Sequence, residues 1–220
     1  MFDAYGTLFD PHSAVLEASR SLGLELGLDG QALSDLWRQR QLEFTWLGSL
    51  MGRYEDLWSL TRAALDSVLQ QLRVERDESS LERLMRAYWE PPAFPDVLPA
   101  LDALSRLPLV ILSNGSAEML HSAVHCNHLE SRFAQVISVD RVKLYKPSPQ
   151  VYALATGSLG LSAEEILFVS SNWWDAWGAK AFGYTVCCCN RPGKAMALAR
   201  LAPDLVVAGL DQIADAIASQ

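Results

Sequence analysis

The chain has 220 residues, 50% of them hydrophobic and 20% charged, and a formal net charge of -8. A chain of this size buries an ample apolar core, as one large domain or a core with an appendage, without disulfides or a structural metal. No apolar run approaches the roughly 18 to 20 residues of a membrane helix, no basic segment followed by an apolar one reads as a secretory signal, and scattered acidic charge disfavours nucleic acid and anionic membranes.

The first ten residues, MFDAYGTLFD, carry Asp3 into a glycine turn with Tyr5 and Thr7 close by. An Asp leaving a buried strand for such a turn presents its carboxylate at a sheet edge, where backbone N–H groups orient it for nucleophilic work. Only Met1 and Phe2 precede it, whereas a strand has about five residues. The first central strand is therefore expected to be truncated, with the chain starting late relative to its natural form or the edge rearranged. Buried N–H and C=O groups left unpaired there would cost about 1 to 3 kcal/mol each.

From residue 11 to about 90 the pattern is helical. SDLWRQRQLEFTWLGSL (34–50) places Leu36, Trp37, Leu42, Phe44, Trp46, Leu47 and Leu50 on a broad apolar face. YEDLWSLTRAALDSVLQQL (54–72) repeats the style, with Ser34 and Asp56 as helix starts. DESSLERLMRAYWEPPAFPD (77–96) holds one more helix, stopped at Pro91, Pro92 and Pro95. The expected division is a helical cap over residues 13–91, inserted into a core of residues 1–12 and 92–220.

Beyond Pro95 come short, nearly continuous apolar runs separated by helical segments: LVILSN (109–114), AQVISVD (134–140), ILFVSSN (166–172), TVCCCN (185–190) and DLVVAG (204–209). Runs of this kind read as parallel strands covered on both faces, and the alternation predicts a doubly wound, Rossmann-like α/β core. Ligands bind such sheets beyond the carboxyl ends of the strands. There the runs end in Ser113 and Asn114, Asp140, and Ser170, Ser171 and Asn172.

Lys146, followed by Pro147, is the natural cation for Asp3: it keeps the carboxylate ionised and can stabilise charge developing on it. The plainer alternative is a surface lysine. Cys187, Cys188 and Cys189 alternate faces of one strand and cannot bridge one another without strain, so they and Cys126 are expected to be reduced core residues. HSAVHCNH (121–128) sets His121 and His125 at helical spacing beside Cys126 and His128, but no partner motif follows, and a solvated helix end explains it.

FDAYGTLFD, LSNGS (112–116), KLYKPSPQVY (143–152) and FVSSNWWD (168–175) stand in the order and spacing of the haloacid dehalogenase superfamily, and in detail the chain resembles its L-2-haloacid dehalogenases. The likeness runs over essentially the whole chain, WRQRQLEFTWLGSLMGRY in the cap included. Phosphatases of that superfamily have a second Asp two positions after the nucleophile, which protonates the leaving group and helps place Mg²⁺. Here the position is Tyr5, which suits a halide that departs without protonation. SSNWWD offers one carboxylate, Asp175, a poor Mg²⁺ cage.

The resemblance implies that Asp175 orients Lys146 or the attacking water, helped by Ser170 and Asn172, and that Arg38 accepts the halide or holds the substrate. Arg40 and Arg53 do not transfer to that position. Ser113 and Asn114 would take the substrate carboxylate and halide region, Thr7 and Tyr152 would complete the hydrogen-bonded shell, and Tyr5, Gln39, Leu42 and Trp174 would line the substrate pocket. Plainer readings stand beside these: Asp175 as a helix cap, Arg38 as a snorkelling surface group and Trp174 as core. Trp173 and Trp177 depart from the pattern and leave pocket size open.

The expected reaction is hydrolysis of a short (S)-2-haloalkanoate through an ester on Asp3, without metal or cofactor, giving the (R)-2-hydroxyalkanoate. The alternatives are a Mg²⁺-dependent phosphatase and a catalytically impaired homologue. A cytoplasmic homodimer packed through cap helices completes the expectation.

Overall fold

The computed structural model describes residues 1–26, 30–74, 77–193 and 199–219. Four helices come first: α1 (Pro11–Leu26), α2 (Gly30–Met51), α3 (Leu57–Gln71) and α4 (Glu78–Trp89). Asp56 starts α3 as expected, its carboxylate accepting the Ser59 N–H at 3.0 Å, and Asp77 does the same for α4 through Ser80 at 2.8 Å. Ser34 does not start α2, which begins at Gly30; it lies buried inside the helix, 2.6 Å from His12 Nδ1. A tertiary partner for its hydroxyl overrides the local capping preference.

The apolar faces of these helices form their own cluster, in which Trp37 packs 4.6 Å from Tyr88 and donates its indole N–H to the Thr61 carbonyl at 2.8 Å. One antiparallel bridge, Phe9 with Ala93, ties this unit to the rest: Asp10 N–H bonds the Pro92 carbonyl at 2.7 Å and Phe94 N–H the Leu8 carbonyl at 3.0 Å. On the other side Tyr54 bonds Asp140, and the Tyr145 hydroxyl donates to the Glu55 carbonyl at 2.6 Å.

The remainder alternates as its sequence predicts: α5 (Val97–Ala103), β1 (Val110–Ser113), α6 (Ala117–Cys126), β2 (Gln135–Ser138), α7 (Pro149–Leu159), β3 (Leu167–Ser170), α8 (Trp173–Phe182), β4 (Thr185–Cys189), β5 (Leu205–Val207) and α9 (Ile213–Ala218). All five apolar runs are strands, and every pairing between them is parallel, β1 with β2, β3 with β4, and β4 with β5.

Met1–Asp3 joins the two halves of the sheet. Phe2 bridges Ile111 on one side and Val169 on the other. Phe2 N–H donates to Val110 and Leu112 N–H to the Phe2 carbonyl, while Asp3 N–H donates to Val169 and Val169 N–H to Met1, all at 2.8 to 2.9 Å. The joining segment pairs through three residues, and β1 and β3 have only four each. These bonds occupy backbone groups of β1 and β3 that face it, so the large penalty anticipated for a missing central strand does not arise. The last residue of the segment, Asp3, lies at the carboxyl edge beside Ser113 and Ser170.

Candidate active site

Asp3 is nearly buried, and its carboxylate has three donors. Lys146 Nζ lies 3.0 Å from Oδ1; Thr7 Oγ1 at 3.0 Å and Asn172 Nδ2 at 2.8 Å both donate to Oδ2. Thr7 sits in the turn opened by Gly6, whose φ of 85° is left-handed and favours glycine. Thr7 Oγ1 also accepts the Ser171 N–H at 2.9 Å, tying the turn to the loop after β3.

Lys146 is wholly buried and reaches Asp175 as well, 2.9 Å from Oδ2. Asp175 does not cap α8: its Oδ1 accepts the Tyr152 hydroxyl at 2.8 Å and its Oδ2 the Ser170 hydroxyl at 3.0 Å. Tyr152 reaches it because Gly178 lets α7 approach α8; a Cβ there would collide with the Tyr152 hydroxyl and with Pro147. Burial opposes charge on Lys146, but Asp175 and Asp3 outweigh it and raise its pKa. Burial pushes the Asp175 carboxyl up to about 6, with Lys146 pulling it back and Asp3 adding to the rise. Two carboxylates thus share one buried ammonium.

Across from Asp3 lies Arg38 on α2. Its Nη2 is 3.5 Å from both the Tyr5 carbonyl and Asn172 Oδ1, and its Nη1 donates to Gln41 Oε1 at 3.0 Å. Gln41 is held in turn by Thr61, whose Oγ1 accepts its Nε2 at 2.6 Å. This relay through the helix unit aims the guanidinium at the nucleophile.

Between Asp3 and Arg38 is a chamber of about 20 Å³, bounded also by Tyr5, Leu42, Ser113, Asn114 and Trp174, and by Gln41, Thr45 and Leu57. It shares Arg38, Leu42, Asn172 and Trp174 with a cleft of about 710 Å³ lined also by His12, Gln39, Trp46 and Trp173. Of the pocket residues expected from sequence, Gln39 alone stands in the cleft and outside the chamber; Thr7, Lys146, Tyr152, Ser170 and Asp175 lie behind its wall in the hydrogen-bonded network. Asn114 lines the chamber and accepts the Lys146 N–H at 2.9 Å. The Tyr5 hydroxyl is buried without a partner among the described residues, and burial raises its pKa, so it stays protonated.

Gln41, Thr45 and Leu57 escaped the sequence reading. The helical pattern puts them on an inward face, but only the packing of α2 and α3 over Asp3 turns that face into a chamber wall. Trp173 is half exposed and stacks edge-on with Trp177 at 4.4 Å. His121 and His125 are exposed, the latter bonded to Glu130 at 2.6 Å. Cys187, Cys188 and Cys189 are buried free thiols, whereas Cys126, the last residue of α6, is free but exposed and does not belong to the core.

A carboxylate placed at a strand end, charged by a buried lysine and faced by an arginine from a covering helix, is equipped for nucleophilic displacement with capture of an anion. Those means belong to hydrolases that work through a covalent carboxyl ester. The haloacid dehalogenase-like hydrolase family model matches residues 1–183, and the chain belongs to that family. Haloacetate dehalogenase H-2 of Moraxella sp. (strain B) is 44% identical over 219 residues, 99% of this chain and 96% of the relative. (S)-2-haloacid dehalogenase 1 of Pseudomonas sp. (strain CBS-3) is 44% identical over 88% of this chain and 85% of its own. The solved structure of L-2-haloacid dehalogenase from Xanthobacter autotrophicus with chloropropionic acid covalently bound superposes with a TM-score of 0.87 at 37% identity, over 100% of this chain and 97% of that one.

Proposed function

We propose that this protein is a hydrolytic dehalogenase converting short (S)-2-haloalkanoates to (R)-2-hydroxyalkanoates and halide. The observation that carries the reading is the Asp3 carboxylate, held by Lys146, Thr7 and Asn172 and facing Arg38 across a chamber of about 20 Å³. Its relatives' named substrates are 2-haloacids and haloacetate.

In the first step an Asp3 oxygen bonds to the α-carbon as the carbon–halogen pair leaves with the halide, opposite the attack, so the centre inverts. Arg38 meets the departing anion, a task suited to a fixed guanidinium fork. Ser113 and Asn114 hold the substrate carboxylate and halide region, while Tyr5, Leu42 and Trp174 pack on the α-substituent and Gln39 receives it in the cleft. In the second step water adds to Asp3 Cγ, and the bond from Cγ to the bridging oxygen breaks. That oxygen leaves as the product hydroxyl, and one proton is released with the halide. Asp175, 2.9 Å from Lys146 Nζ, orients Lys146 or, through it, the attacking water. Ser170 and Tyr152 hold it in place, and Thr7 holds Asp3.

Magnesium does not fit this donor set. The Lys146 ammonium occupies the space between Asp3 and Asp175 that a bridging cation would need, and Tyr5 stands where a second carboxylate would be required. Mg²⁺ demands near-octahedral oxygen ligation. The phosphatase reading is therefore not favoured.

The division into a cap of residues 13–91 and a core of 1–12 and 92–220 is part of the reading. So is a homodimer through the cap, supported by Leu47, Leu50 and Met51, which are exposed together at the end of α2. The acidic composition and lack, among the described residues, of a helix able to cross a membrane are compatible with a cytoplasmic enzyme. Halide release from a panel of L- and D-2-haloacids without added metal, beside phosphate release with Mg²⁺, tests the function. A single turnover in ¹⁸O-water labels Asp3 under this mechanism; label in product alone would overturn it.

A further inference from the structure

Arg191 lies outside every motif above, two residues past the end of β4, yet it joins three segments around the nucleophile. Its Nε and Nη2 grip the Asp96 carboxylate at 2.9 and 2.8 Å. Nη2 also donates to the Thr7 carbonyl at 3.0 Å and Nη1 to Ser171 Oγ at 3.1 Å, and the guanidinium lies 4.0 Å over the Phe94 ring. Asp96 is itself pinned, since its Oδ2 accepts the Leu210 N–H at 2.8 Å. Burial works against the Asp96 charge, but Arg191 and Leu210 outweigh it and its pKa stays below the usual carboxylate value.

Thr7 and Ser171 are the residues through which the two catalytic loops meet. Thr7 donates to Asp3, Ser171 N–H donates to Thr7, and Asn172, the next residue, donates to Asp3. Phe94 and Asp96 belong to the segment that returns from the helical unit to the sheet, where Phe94 N–H bonds Leu8. One guanidinium therefore anchors both loops to that return segment. A lysine offers a point charge and could not serve four acceptor atoms in one plane.

We propose that Arg191 is a positioning residue for dehalogenation: through Thr7 and Ser171 it sets the orientation of the Asp3 carboxylate without touching substrate. The proposal rests on the dehalogenase reading for its kinetic consequence. Displacement at carbon requires the attacking oxygen in line with the leaving group, and a shift of about 1 Å costs on the order of 100-fold in rate.

The test is Arg191→Met and Arg191→Lys, compared with the unaltered protein in halide release and in amide hydrogen exchange resolved by residue. Arg191→Met is expected to lower kcat by about 10- to 100-fold with KM within about threefold, and Arg191→Lys to restore part of it. Exchange is expected to quicken at Gly6–Phe9 and Ser171–Asn172 while β4 and the α2–α3 pair stay protected. Unchanged kcat in Arg191→Met, or exchange that quickens uniformly in both variants, overturns the proposal. If the unaltered protein releases no halide from any 2-haloacid, the dehalogenase reading fails by itself. The exchange pattern then decides: local quickening upholds the clamp and unchanged loops overturn it.

Discussion

Lys146 Nζ stands 2.9 Å from Asp175 Oδ2, and both side chains are wholly shut off from solvent. This buried pair governs the pH response. Asp175 titrates near 6, so it is ionised above that value and gains a proton as pH falls through it; Lys146 then loses a partner. Halide release is expected to decline on the acid side with a midpoint near pH 6. The sign for stability is opposite: with its folded pKa above the unfolded one, about 3.9, Asp175 favours folding increasingly as pH drops from 6 towards 4. A pH–rate profile lacking an acid limb near 6 would contradict this.

Removing the Tyr152 hydroxyl takes one donor from the Asp175 carboxylate. A hydrogen bond to the charged form holds a carboxyl pKa down, so in Tyr152→Phe the acid limb moves to higher pH. The stability loss is on the order of 1 kcal/mol. The pH–rate profile and urea midpoint of the variant check both statements.

Lys146→Met leaves Asp3 and Asp175 facing each other without their cation. Breaking a buried charge network from one side costs about 3 to 5 kcal/mol, and turnover is expected to vanish. Denaturant unfolding measures the first and halide release the second; a variant as stable as the parent at pH 7 would refute the account. At pH 4 to 5 the penalty should shrink, since a protonated carboxyl carries no charge to compensate.

Arg38→Ala removes the fork that faces Asp3 while leaving a partly exposed helix surface. Loss of one aimed donor for developing charge costs about 100- to 1,000-fold in kcat, with little change in melting temperature. Steady-state halide release and calorimetry are the checks.

Leu57 is buried at the start of α3 and walls the chamber. Leu57→Ala enlarges it, so the rate ratio of 2-bromobutanoate to bromoacetate should rise. The cavity costs about 2 to 5 kcal/mol of stability. An unchanged ratio in competition assays would remove Leu57 from the specificity wall.

The sequence by itself determined the architecture, because that information is local. Five apolar runs mark parallel strands by their composition, and helical periodicity marks the four helices that precede them. Asp3, Lys146 and Asp175 stand out by type and order: Asp3 enters a glycine turn, Lys146 precedes Pro147 ahead of α7, and Asp175 follows the polar end of β3 in the first turn of α8. Tertiary structure alone decided which faces of α2 and α3 meet Asp3: Gln41, Thr45 and Leu57 line the chamber while Gln39 remains in the cleft, a difference of helix rotation against the sheet that no local pattern records. It also decided that Ser34 serves His12 and not a helix start, and that three residues suffice to join β1 and β3. Arg191 shows the limit most clearly. Its partners Thr7, Phe94, Asp96 and Ser171 come from three distant segments, and only the folded sheet brings their acceptors within reach of one guanidinium.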